Sequence, residues 1–139
     1  MHQLPTFLAA LTLAASALGT PAMAEMITKT SPHSVSQTMD RLQAAVEGAG
    51  ATLFARVDHA AGAAGVDMDL RPTELMIFGN PKLGTPPMKT NQTAGLDLPL
   101  RVLAYEDAEG VVHVTYRDPA TLAADHGLPA DAPYLGMMT

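Results

Sequence analysis

Gly79 and Gly84, separated by four residues behind an apolar run, have the spacing that opens a phosphate-binding loop. That loop needs Lys and then Ser or Thr directly after the second glycine, to reach the terminal phosphates and to hold magnesium. Thr85 and Pro86 stand there instead, and proline removes a backbone donor that the cradle uses. Triphosphate chemistry is set aside on these grounds. What remains is a simpler small-ligand or anion site at Asn80, Lys82 and Thr85, drawing on N–H groups at the start of a following helix. His113, on a hairpin farther along the chain, is the fourth candidate for that site.

Metal chemistry rests on His33, His59, His113 and His126 and on the methionines, because thioethers suit copper(I). No two histidines are four apart and none form a His-x-His pair, so the fold has to assemble any site. Met39 and Met76 sit in apolar patterns that read as core, which leaves Met137, Met138 and His126 as the candidate metal ligands. The alternative reading of Met137 and Met138 is a frayed terminus, and that of His126 is a cation at a helix C-terminus.

Asp58-His59 and Asp125-His126 are the adjacent acid and imidazole pairs. Sequence neighbours point in different directions on a strand or helix, so adjacency alone makes no catalytic dyad. There is no Gly-x-Ser-x-Gly elbow, and Ser31, Ser34 and Ser36 cluster where helix capping explains them. Asn91-Gln92-Thr93 fits the N-glycosylation pattern, which matters only in a eukaryote.

The first 24 residues, MHQLPTFLAALTLAASALGTPAMA, run from an apolar stretch through a Gly-to-Pro break to a small-x-small end. They read as a secretory leader cleaved after Ala24, although its only positive charge beside His2 is the terminal amine. The mature part, residues 25–139, is of a size for one domain. A periplasmic or secreted location follows, with no membrane span once the leader is removed. The net charge of -6, with no basic run, argues against nucleic acid as a partner. With no cysteine in the chain, thiolate catalysis, cysteine-ligated zinc and iron-sulfur clusters are excluded.

These residues need elements to hold them. Met26 to Thr30 is a short strand, and Val35, Met39, Leu42, Val46 and Ala49 make one helical stripe, with Ser34 and Gln37 as a capping box. Leu53 to Val57 alternates as a strand, Asp58 to Gly65 fits either a helical turn or a loop, and Thr73 to Phe78 reads as a buried strand. Three prolines and a glycine make Asn80 to Met88 a loop, with a short helix expected near Met88 to Ala94. Leu98 to Glu106 and Val111 to Tyr116 form a hairpin in which Leu103 is expected opposite Val114 and Ala104 opposite His113; a slip of one exchanges the faces. Asp118-Pro119 starts a last helix through Ala124, and Gly127 ends it. The order β-α-β-β-α-β-β-α predicts an α+β fold in two layers, a largely antiparallel sheet with helices on one face.

Three blocks carry a resemblance: TELMIFGNPKLGTPPM (Thr73 to Met88), DLPLRVLAYED (Asp97 to Asp107) and TYRDPATLAADHGL (Thr115 to Leu128). In this order and spacing they resemble the domain of unknown function 302 family, with Pro87 where that pattern has leucine. The resemblance implies a compact α+β domain, a homodimer and, in this subgroup, an exported protein. It supplies no reaction. Without a catalytic constellation or an evident cofactor, the chain is expected to be a dimeric, non-enzymatic module binding a small ligand or an envelope protein. That module should have a concave surface near Phe78 to Met88 and His113. The alternatives are copper or zinc handling, and a hydrolase using His59 or His113 as base.

Overall fold

The computed structural model describes residues 25–139, so the leader expected over residues 1–24 lies outside the described residues. Five strands, β1 (Met26–Ser31), β2 (Thr52–Asp58), β3 (Thr73–Gly79), β4 (Leu100–Glu106) and β5 (Val112–Arg117), form one sheet. They lie in the order β1-β5-β4-β3-β2 with every neighbouring pair antiparallel. Helix α1 (Val35–Gly48) packs across β2, β3 and β4, which makes the expected α+β arrangement.

Helix α1 forms where its stripe and cap require. Ser34 accepts from the Gln37 N–H while the Gln37 side chain accepts from the Ser34 N–H, closing the capping box. The stripe is driven onto the sheet because burying it releases apolar surface from water. Val35 and Met39 are buried with Met76, Val102, Ala104 and Val112, and Leu42 and Val46 pack at the margin of that cluster. At the rim of this layer Arg56 pairs with Glu74 and Asp40, tying β2 to β3 and α1.

The open choice at Asp58 resolves as helix α2 (His59–Ala64), capped by the Asp58 carboxylate on the Ala61 N–H. The segment expected as a loop is instead helix α3 (Pro81–Thr90), followed by a 3-10 turn over Gln92–Leu96. Pro81 stands at the first turn, where its missing donor costs nothing. Pro86 and Pro87 do forfeit intrahelical bonds, yet their φ is already helical, and Pro87 is wholly buried while Leu83 and Met88 turn inward. Packing overrides the breaker rule here. The last helices are α4 (Thr121–His126), ended by Gly127 at φ +62° as expected, and α5 (Pro133–Met137).

The hairpin register differs by one from the expected pairing. Tyr105 lies opposite His113, and Ala104 opposite Val114. The cause is the turn, where the Asp107 carboxylate accepts from the N–H groups of Glu109 and Val111. The Asp107 N–H bonds the Val111 carbonyl at 2.9 Å, so the loop closes around three residues rather than four. Ala104 thereby faces α1 and is fully buried, while His113 goes to the other face, stacked on Tyr105 with ring centroids 5.2 Å apart.

His113 Nε2 lies 2.7 Å from Asp107 Oδ2. This contact, with the donation from Val111, holds the Asp107 carboxyl below its ordinary value of 3.8. A carboxyl depressed on folding contributes stability above its unfolded value and loses it as pH falls through the folded one. Asp107→Ala is accordingly expected to be less stable than the parent near neutral pH. The gap should start to narrow below about pH 4, where the unfolded carboxyl protonates, and close as the folded carboxylate protonates at lower pH. Urea unfolding at both pH values checks this, and a gap that does not shrink in acid refutes the charge-based account.

Candidate functional site

The core is not closed along its whole length. Between α1 and the segments containing α3, α4 and α5 the sheet is left open as a cleft of about 630 Å³. Its floor is the helix-side face of β3, β4 and β5, with Met76, Phe78, Val102, Val114 and Tyr116. Leu42 and Val46 of α1 form one wall; Leu83 and Met88 of α3, Leu122, and Met137 and Met138 form the other. The cleft exists because the C-terminal segment builds a core of its own. Leu122, Ala123, Leu128 and Leu135 bury one another rather than closing on the sheet. Its volume falls in the range of small-molecule sites, which are mostly apolar with a few polar groups at the border.

Lys29, Asn80, Thr85, Asp97, Arg101, Arg117 and Asp118 supply those polar groups. Asp97 organises one end. Its carboxylate takes Arg117 Nη1 at 2.6 Å and His126 Nε2 at 2.7 Å, with Arg101 at 3.7 Å. Arg117 also reaches Asp125. On its other nitrogen, His126 Nδ1 lies 3.0 Å from Thr93 Oγ1.

A hydroxyl, an imidazole and a carboxylate in line suggest a nucleophile triad, and the hydrogen bonds decide against it. Asn91 donates through Nδ2 to the His126 carbonyl, so its Oδ1 is the acceptor for the Thr93 hydroxyl at 2.8 Å. The Thr93 proton is thus spent on Asn91, and Thr93 Oγ1 accepts from His126 rather than giving it a proton. His126, with 8% of its side chain exposed, is a clamp between the 3-10 turn and α4. Asn91, read in the sequence as a possible glycan acceptor, is part of that clamp.

The sequence-derived candidates are scattered by the fold. Asn80 and Thr85 line the cleft; Lys82 is exposed outside its lining, and His113 lies on the opposite sheet face. The N–H groups at the start of α3 are already taken, those of Leu83 and Gly84 by the Asn80 carbonyl and that of Lys82 by the Asn80 side chain. Met137 and Met138 border the cleft, whereas both ring nitrogens of His126 are engaged elsewhere. Neither adjacent acid and imidazole pair is a dyad, since Asp58 caps α2 and Asp125 holds Arg117. Lys29, Asp97 and Arg117 are the residues that pattern reading missed. No local motif marks them, because Asp97 and Arg117 meet only in the folded chain and Lys29 reaches the cleft only through the sheet order.

Residues 27–137 match the family described as Domain of unknown function DUF302. The chain belongs to that family. Its family fold is seen in a crystal structure of an uncharacterized conserved DUF302 protein from Bacillus stearothermophilus. The two superpose with a TM-score of 0.66 at 17% identity, over 81% of this chain and 85% of that one. Two longer proteins carry a DUF302-like stretch as well. The chain is 47% identical over 116 residues to fluoride-specific ion channel FluC 1 of Brucella suis biovar 1 (strain 1330), covering 82% of this chain and 46% of that protein. It is likewise 47% identical over 116 residues to FluC 2 of Brucella melitensis biotype 1 (strain ATCC 23456 / CCUG 17765 / NCTC 10094 / 16M), covering 43% of it. The chain therefore spans less than half the length of the curated relatives it matches. Among the described residues no helix is long and apolar enough to cross a membrane.

Proposed function

We propose that this domain is an exported, homodimeric, non-enzymatic module that binds a small apolar ligand in the cleft between α1 and the C-terminal segment. The observation that carries this reading is the cleft itself, about 630 Å³ of mostly apolar surface left open in a domain that otherwise packs its core. Leaving Leu42, Val46, Phe78 and Tyr116 half-buried forgoes roughly 25 cal/mol for each Å² that closure would hide. A ligand recovers that energy. Export rests on the pattern of residues 1–24, and the dimer on the family resemblance. In the Brucella relatives, whose names describe a fluoride-specific ion channel, we read the matching segment as an accessory to the larger remaining part of the protein.

The test is a titration with Nile red, an uncharged apolar dye. One site per chain is expected, and Val46→Trp, which fills the cleft, should weaken binding about tenfold. Val57→Trp, on the other face of the sheet, should leave it unchanged. Melting curves confirm that both variants are folded. Dye binding that ignores Val46→Trp removes the reading.

One observation favours a second reading, copper(I) handling. Met88, Met137 and Met138 border the same cleft, and thioethers are soft ligands. Copper(I) titration of the parent and of a Met137→Leu, Met138→Leu double variant checks it, and equal affinities rule these two residues out.

A further inference from the structure

Strand β3 carries apolar residues on both faces, and α1 covers one of them. Met76 and Phe78 face α1 together with Val102 and Tyr116. Leu75 and Ile77 alternate with them and point to the outer face, where the register sets Val57 and Leu103 directly on either side of Leu75. An antiparallel sheet with one wet face normally turns polar residues to the water. Here Val57 is 37% exposed, and Leu75, Ile77 and Leu103 are half-buried beside it. Phe54 enlarges the patch. It is the extra residue of the bulge in β2 and 55% exposed, and its Cε2 lies 3.6 Å from where a Cβ on Gly79 would stand on the same face. Among the described residues of β2, β3 and β4, the one charged side chain on this face is Arg101, opposite Ile77 and 48% exposed.

We propose that this outer face of β2, β3 and β4 binds a second copy of the chain, with the two-fold axis running along β3. It gives the proposed homodimer its surface and rests on that reading. An axis along the central strand keeps each residue at its height and exchanges the strands beside it, so β2 of one copy lies over β4 of the other. Leu75 and Ile77 then meet their own equivalents, and Val57 meets Leu103 of the second copy. Phe54 meets Arg101 of the second copy, since the two stand within one residue of the same height. That pairing sets a guanidinium over an aromatic ring. Charge selects this partner. A chain of net charge -6 repels its own copy over most of its surface. This patch has no carboxylate, and its lone cation falls on a ring rather than on itself, so two copies meet here without like charges opposed. Pairing by sheet edges is disfavoured, because β2 carries the bulge and β1 carries Lys29. Strand spacing and rise make the patch roughly 15 by 20 Å. Two such patches form a small interface, so association in the micromolar range is expected.

The test is sedimentation of the protein, expressed as the full chain, across the micromolar range. The parent is expected to interconvert between monomer and dimer. Leu75→Lys and Leu75→Asp each oppose two like charges on the axis and should weaken the dimer at least about 100-fold. An equimolar mixture of the two variants should recover a dimer, which a folding defect would not allow. Phe54→Ala, at an exposed side chain, should weaken the dimer about tenfold while the melting curve of the dilute monomer stays that of the parent. A parent that remains monomeric overturns both the surface and the homodimer, whereas Nile red binding in the cleft is judged separately. A dimeric parent whose Leu75 variants associate equally well keeps the homodimer and overturns this surface. Folded Leu75 variants that stay monomeric when mixed overturn the two-fold along β3. If circular dichroism shows the Leu75 variants unfolded, Phe54→Ala decides, and a dimer affinity equal to that of the parent overturns the proposal.

Discussion

Asp97→Ala is expected to lower the stability of this domain by about 3 kcal/mol, a loss of roughly 10 °C or more in Tm for a domain of this size. Exposed ion pairs each contribute 1 kcal/mol or less, so the Arg101 contact at 3.7 Å contributes little and Arg117 keeps Asp125 in any case. The cost is dominated by His126, whose ring is buried and whose Nε2 then has no acceptor. The clamp on Asn91 and Thr93 loosens with it, so the 3-10 turn and α4 part from one another. Asp97→Asn keeps an acceptor of the same shape without the charge and should cost about half as much. Urea unfolding of both variants measures this. A loss below about 1 kcal/mol for Asp97→Ala means that water replaces the carboxylate and the network does not hold the C-terminal segment.

The second large effect lies in the layer between α1 and the sheet. Met39 has no exposed surface and sits where α1 meets β3, β4 and β5. Truncation to alanine removes its transfer energy and leaves a cavity in a layer fixed by strand pairing, for about 3 kcal/mol in all. Met39→Leu keeps most of the volume and should cost less than about 1.5 kcal/mol. Met137→Ala, at a side chain 61% exposed, should stay within about 0.5 kcal/mol. The three together test whether burial, and not residue type, decides. If Met39→Ala and Met137→Ala have the same denaturant midpoint with equal slopes, α1 is not seated as described.

Local signals were legible and reliable. The spacing of Val35, Met39, Leu42 and Val46 and the pair Ser34 and Gln37 specify α1, and the run from Thr73 to Phe78 specifies β3, because both depend only on neighbours within one or two turns of chain. Gly127 stops α4 for an equally local reason, its left-handed φ. The segment after Asn80 was misread for the opposite reason. Proline statistics describe an isolated helix, and here the burial of Pro87 compensates for two lost donors. The hairpin was misplaced by one residue because a single side chain, Asp107, captures two N–H groups and shortens the loop. That one hydrogen-bonding choice moves Ala104 into the core and His113 out of it.

From sequence alone come the α+β class, the place of α1 and of the strands, the family resemblance, the acidic charge and the exclusion of thiol chemistry, since all of these follow from composition or short-range pattern. The cleft and the Asp97 network come only with the tertiary structure. The network joins Asn91, Thr93 and Asp97 at the 3-10 turn to Arg117 at the end of β5 and His126 of α4, and the cleft joins Lys29 to Met138, which requires the first strand to lie beside the last. Strand order and register bring together residues a hundred positions apart, and no periodicity within one segment encodes which segment will lie next to it.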